Sequence, residues 1–225
     1  IIVLISDFKI WIFIHFLKNS NIPPFLLKRF LIKYQWMWGR IMKLPNIKIL
    51  DEKEKILHKK ALPVTEFPIS KEDQKNIEDM ITYLTMSQIE EYSEKYDLRP
   101  GMGLAYPQIG IGKRIFVIVD EVEKGQFENY VIINPKIVSQ SEELIYVGEG
   151  EGCLSVNRDV EGIVPRAARV TVEYNDYNGD TYRIRVREDI AVAFQHEIDH
   201  LDGILFVDKI DKKNPFKDKE LMREI

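Results

Sequence analysis

The sequence predicts an α+β fold, and three observations carry that prediction. Alternating stretches at Val170 to Tyr174 and Tyr182 to Val186 flank Asn178-Gly179, the pattern of an antiparallel hairpin. A continuous apolar run between Arg114 and Asp120 reads as a buried strand. Two helices are expected, one opening at Ser70 and one running from about Glu188 to Asp202.

Taken in order, the first 46 residues stand apart as an extension, ahead of a catalytic-type domain over 47–225. From Phe8 to Leu50 there is no Asp or Glu, while Lys9, Lys18, Lys28, Arg29, Lys33, Arg40, Lys43 and Lys48 are basic. An acid-free, basic and partly amphipathic start is the pattern of an organelle-targeting segment. The chain begins at Ile1 without Met, so an upstream part is expected. The apolar stretch Ile10 to Leu17 is too short for a membrane span, and Lys9 and Asp7 border it.

Beyond Ile49 the composition becomes globular. Ser70 with Asp73 resembles a capping box, and Ile77, Met80, Ile81 and Leu84 form a helical apolar stripe. Leu98 to Gly112, rich in Gly and Pro, is expected to be irregular or extended. Tyr130 to Ile133 and Leu144 to Val147 read as short strands. The hairpin and the second helix follow, with Gly203 as the helix stop. After Phe206 the charged tail is expected to be a loop or short helix.

The chain of 225 residues is long enough for one domain with a sizeable core. Its formal net charge of −4 gives no reason to expect nucleic acid or acidic lipid as a partner. Cys153 is the single cysteine, which excludes a disulfide scaffold and leaves a buried filler, a nucleophile or a metal ligand.

The chemistry concentrates in His196-Glu197-Ile198-Asp199-His200. On a helix, residues four apart share a face, so both imidazoles can bind one ion. Glu197 then sits where its carboxylate reaches a metal-activated water. Catalytic sites of this kind use three protein ligands and leave one position for water. One protease class takes its third ligand from a later His, but Phe206 stands there. Another takes a downstream Glu, and only Glu220 and Glu224 are available. Cys153, in Glu151-Gly152-Cys153-Leu154-Ser155, is the better candidate, because a thiolate beside two imidazoles suits Fe(II) or Zn(II).

Three segments, Gly101-Met102-Gly103-Leu104-Ala105-Tyr106-Pro107-Gln108, Glu151-Gly152-Cys153-Leu154-Ser155 and Gln195-His196-Glu197-Ile198-Asp199-His200, resemble the three signature motifs of peptide deformylases, in family order. The likeness runs from about Ile47 to Ile210, and Leu98-Arg99-Pro100-Gly101 resembles the Gram-positive bacterial branch. Tyr106 departs from the family's small Ala and is expected to narrow the site or add a hydrogen bond.

The resemblance implies antiparallel sheets around a central metal-binding helix. It implies removal of the formyl group from N-terminal formylmethionine of nascent chains, with release of formate. Cys153, His196 and His200 are then the metal ligands. Glu197 moves the proton, and Gln108 and the Leu154 N–H stabilise the oxyanion. Fe(II) is the ion expected in the cell, replaceable by Zn(II), Ni(II) or Co(II). The substrate is expected to lie extended along Met102 and Gly103, near Glu151 and Gly152. Val192 and Ala193, on the His196 face, are expected to line the methionine pocket. A Glu151–Arg166 pair is expected nearby.

The expected partners are formyl-methionyl peptides and nascent chains, with transient ribosome contact, no nucleic acid binding and no stable membrane association. The expected location is a eukaryotic organelle, a plastid such as an apicoplast before a mitochondrion. Two other readings use the same residues. A metallopeptidase leaves Cys153 and Gln108 without roles. A non-catalytic peptide-binding descendant is expected to have lost Glu197 or a ligand, and only Tyr106 speaks for it.

Overall fold

The computed structural model describes residues 42–225, and Lys43–Ile225 is one compact unit. The expected targeting-like extension therefore lies outside the described residues except for 42–46. Four helices are described: α1 (Lys71–Gln88), α2 (Glu90–Tyr96), α3 (Glu188–Leu201) and α4 (Phe206–Lys209). The strands are β1 (Gly103–Ala105), β2 (Ile115–Glu123), β3 (Gln126–Gln140), β4 (Leu144–Tyr146), β5 (Arg166–Ala167), β6 (Arg169–Asn175), β7 (Thr181–Arg187) and β8 (Arg223–Glu224). They form a five-stranded antiparallel sheet, β1-β2-β3-β6-β7, and a three-stranded sheet, β5-β4-β8, in which β8 runs parallel to β4.

The run at 115–119 is apolar without alternation because both faces of β2 are covered. Phe116 and Ile118 join a core with Phe194, Ile198 and Leu201 of α3. Ile115, Val117 and Val119 face the other way and meet Ile77, Met80 and Leu84 of α1. The large sheet is thus packed between α1 and α3, and α3 is held by its apolar stripe while its opposite side is free for chemistry.

Local chemistry explains where the elements start and stop. The Ser70 hydroxyl oxygen accepts the Asp73 N–H at 3.0 Å and caps α1. The short Asp73 carboxylate does not complete the box. It accepts the Ser70 hydroxyl at 2.8 Å and Lys113 Nζ at 2.7 Å. β3 runs well beyond the expected 130–133, through Asn134-Pro135. The ladder shifts register there, so no donor is needed from Pro135. The Asn134 side chain bonds both the N–H and the C=O of Val64 at 2.8 Å.

The hairpin forms, but its loop spans residues 176–180 instead of only Asn178-Gly179. The Asp176 carboxylate organises it by accepting the N–H groups of Asn178 and Asp180. Leu98 to Gly112 is largely irregular, and it contains β1 and a 3-10 turn over Tyr106–Ile109. The tail does more than loop: after α4 it returns as β8, whose pairing with β4 is extended by Ile225 N–H to Tyr146 O at 3.0 Å. At the other end, the Leu50 N–H donates to Gln108 O and the Glu52 N–H to Ser155 O, both at 2.8 Å. Those two bonds tie together the loops that carry two of the three sequence motifs.

Candidate functional site

Helix α3 presents His196 and His200 one turn apart, with ring centroids 5.0 Å from each other. It ends at Gly203, which has φ +76°, and a Cβ there would meet the Lys59 backbone at 2.8 Å. Cys153 comes from the loop between β4 and β5. One ligand atom from each of Cys153, His196 and His200 lies within 4.8 Å of the other two, and all three residues are buried. Cys153 Sγ and His200 Nε2 are 3.3 Å apart.

The groups behind these three have fixed roles. His196 Nδ1 is 2.8 Å from Glu151 Oε2, so it donates to the carboxylate and leaves Nε2 for an ion. Arg166 grips the same carboxylate through Nε and Nη2 at 2.7 and 2.9 Å. The Arg166 side chain is 1% exposed and also donates to Asp199, which takes Lys209 Nζ at 2.8 Å. The expected Glu151–Arg166 pair is therefore one part of a wider buried network. Burial pushes the Glu151 carboxyl up, but hydrogen bonds from Arg166 and His196 outweigh it and hold its pKa at about 2.

The site is also short of positive charge. Burial pulls the His196 pKa down, yet its bonds to Cys153 and Glu151 raise it to about 10. A cluster that draws a proton onto a largely buried imidazole favours a cation at that spot. A thiolate with two imidazoles is a donor set for Fe(II) or Zn(II), so the residues fit a divalent ion.

A cavity of about 320 Å³ opens beside the three ligands. Glu197 lines it, nearly fully buried, and its Oε2 has no hydrogen-bond partner among the described residues. Burial raises the Glu197 carboxyl to about 7. Gln108 is 1% exposed and fixed at both ends. Its Oε1 accepts the Ala105 N–H at 2.7 Å, which turns Nε2 toward Ser155 Oγ at 3.2 Å and Cys153 Sγ at 3.6 Å. The Leu154 N–H donates to no acceptor among the described residues.

Met102, Gly103, Glu151, Gly152, Val192 and Ala193 all border the same cavity. Gly103 is needed there, since a Cβ would lie 2.8 Å from Glu197 Cδ.

Of the two effects expected of Tyr106, the added hydrogen bond is present and the narrowing of the site is corrected. Tyr106 does not reach the cavity. Its ring is fully buried in the core beneath α1, and its hydroxyl donates to Asp73 O at 2.9 Å. The 3-10 turn points residue 106 into the core and residue 108 toward the ligands, so the bulky phenol leaves the site's width unchanged.

Phe206, which replaces the later His of one protease class, stacks on the His196 ring at 5.9 Å. Glu224 is engaged by the Tyr146 hydroxyl at 2.6 Å and is not among the clustered ligands. Sequence reasoning gave no role to Arg99, Val147 or Asp189, which also line the cavity. Arg99 is placed by loop packing, which leaves no pattern in the chain, whereas Asp189 lies on α3 three, four and seven residues before Val192, Ala193 and His196, so helical spacing could have found it.

Comparison with known proteins agrees with this geometry. The family model for polypeptide deformylase matches residues 47–216. A peptide deformylase of Shouchella clausii is 51% identical over 170 residues, covering 75% of this chain and 92% of its own length. The crystal structure of peptide deformylase from Thermotoga maritima is 33% identical with TM-score 0.58, over 73% of this chain and 97% of that one. Peptide deformylase from Plasmodium falciparum is 31% identical with TM-score 0.58, over 77% of this chain and 91% of that one.

Proposed function

The chain belongs to the polypeptide deformylase family, and from that premise we propose which of its residues carry the reaction, which ion it uses and where it works. The activity is that of a metal-dependent hydrolase, which removes the N-terminal formyl group from formyl-methionyl nascent polypeptides and releases formate.

Cys153, His196 and His200 hold the ion, with Glu151 fixing the His196 tautomer. A divalent ion held there would supply Lewis acidity toward the formyl carbonyl and the attacking water. Glu197 takes the water's proton and hands it to the departing amine. The Gln108 amide and the Leu154 N–H donate to the developing oxyanion. The observation that carries this reading is the partnerless Glu197 Oε2 on the cavity beside the three clustered ligands.

The substrate adds as a strand to the free edge of β1. Val119 N–H bonds Met102 O, so ladder alternation turns the N–H and C=O of Gly103 outward to the substrate, with Met102 beside it. Glu151 and Gly152 border the opposite side, and the methionine side chain enters against Val192 and Ala193.

Fe(II) is the ion in the cell, and Zn(II), Ni(II) or Co(II) substitute for it, since the mixed thiolate and imidazole set accepts each. The acid-free basic stretch supports an organelle address, plastid before mitochondrion, with residues 1–46 as the leader and 47–225 as the catalytic domain. Formylated chains emerge from ribosomes, which supports transient ribosome contact. No helix among the described residues is long and apolar enough to cross a membrane.

The test is formate release from a formyl-methionyl tripeptide by protein purified without oxygen and loaded separately with Fe(II), Ni(II) or Zn(II). Glu197→Ala is expected to keep its ion and lose about a thousandfold in kcat. An ion-loaded Glu197→Ala protein with wild-type turnover would falsify the assigned role.

A further inference from the structure

Arg99 lies on the rim of the cavity, and it bonds mainly to the backbone of the loop that carries Cys153. Its Nη2 donates to Cys153 O at 2.9 Å and to Val156 O at 3.1 Å. Its Nη1 donates to the Asn157 side chain and reaches Leu154 O at 3.5 Å. One guanidinium thus spans the whole turn from residue 153 to residue 157.

The carbonyl of Cys153 and the N–H of Leu154 belong to the same peptide unit. A trans peptide is planar and directs its C=O and N–H to opposite sides. A cation bound to the Cys153 oxygen therefore sets the plane of that unit and, with it, the direction of the Leu154 N–H. It also draws electron density toward the oxygen, which makes the N–H a stronger donor. That N–H has no acceptor among the described residues, and Leu154 borders the cavity.

We propose that Arg99 is a positioning residue for catalysis: it aims and polarises the Leu154 N–H by holding the carbonyl of the same peptide from the rim of the cavity. The proposal rests on the assignment of that N–H as an oxyanion donor. Arg99 itself touches neither the ligands' metal-facing atoms nor the reacting bond. It acts only through the 153–154 peptide.

The experiment compares Arg99→Gln with a backbone variant in which leucine at 154 is replaced by its α-hydroxy acid. That ester removes the N–H and keeps the side chain. Both are measured as metal-loaded enzyme with a formyl-methionyl tripeptide, with metal content recorded. Arg99→Gln is expected to lower kcat about tenfold with KM within twofold and full metal content, a smaller loss than deleting an oxyanion donor outright. The double variant is expected to lose no more than the ester alone, because Arg99 acts through the group already removed.

A second readout needs no turnover. In metal-free protein, the Leu154 amide 15N resonance is expected to move upfield in Arg99→Gln. A slow ester variant beside an Arg99→Gln enzyme of unchanged kcat overturns the proposal and leaves the oxyanion assignment standing. An ester variant with wild-type kcat removes the oxyanion assignment and the proposal with it. An unmoved Leu154 resonance, or losses that multiply in the double variant, also overturns it, since Arg99 would then be only a tether of the loop.

Discussion

Gly103 has no side chain, and the space where one would begin is occupied by the Glu197 carboxylate, with Cδ 2.8 Å from a built Cβ. Gly103 is fixed in β1, so an added Cβ would push the Glu197 carboxylate, the free end of a flexible side chain, away from its place and out toward the cavity that it lines. Gly103→Ala is therefore expected to fold, bind its ion and lose about a hundredfold in kcat/KM, the scale of an ångström's misplacement of a reacting group. Formate release together with metal content checks this, and a fully active Gly103→Ala would separate the base from the substrate strand. At this scale the clustering of Cys153, His196 and His200 was legible in the sequence. Two histidines four apart on an apolar helix and a lone cysteine just after Gly150 and Gly152 leave few other arrangements. Arg99 was not legible, because its partners are mainly backbone oxygens, which every residue carries. The direction of Tyr106 was not legible either, since it depends on which way a 3-10 turn faces.

Elements were legible where their pattern was regular and hidden where a local exception broke it. The hairpin strands and α3 follow their periodicity within a residue or two. β3 was masked by Pro135, whose missing donor is tolerated only at the register shift. β8 has two residues, too few for any alternation, yet it has a role. Ile225, just beyond it, packs with Ile145 and Val147 against Val192, and both valines also border the cavity. The C-terminal strand thus supports the wall of the expected methionine pocket from behind. Ile225→Ala is expected to raise KM for formyl-methionyl peptides a few-fold with little change in kcat. It should also destabilise the fold by about 2 kcal/mol, the low end for a truncated aliphatic side chain that is only partly buried. Peptide steady-state kinetics with urea unfolding check both numbers.

For the whole molecule, the order of strands and the meeting of distant loops came only from the structure. The buried network of Glu151, Arg166, His196 and Asp199 joins three separate segments, the loop after β4, β5 and α3, and its effect on folding depends on pH. Glu151 titrates at about 2 when folded, below its ordinary 4.5. A depressed carboxylate stabilises the fold fully above its unfolded pKa, and that contribution is lost as pH falls from 4.5 toward 2. The shift corresponds to a contribution on the order of 3 kcal/mol. Metal-free Glu151→Gln is therefore expected to be less stable than metal-free wild type by about that much at pH 6. The gap should close at lower pH, read from urea unfolding at a series of pH values. A gap that does not change with pH would mean that the charge on Glu151 has no part in holding Arg166.

The two bonds from Leu50 and Glu52 to the Gln108 and Ser155 carbonyls reach beyond catalysis. They lie at the very end of the acid-free basic stretch and fasten two motif-bearing loops to one piece of backbone. Any peptidase that trims this chain from its front during maturation must stop short of Leu50. A cut a few residues further in would leave every signature motif intact and still release the loops from their shared anchor.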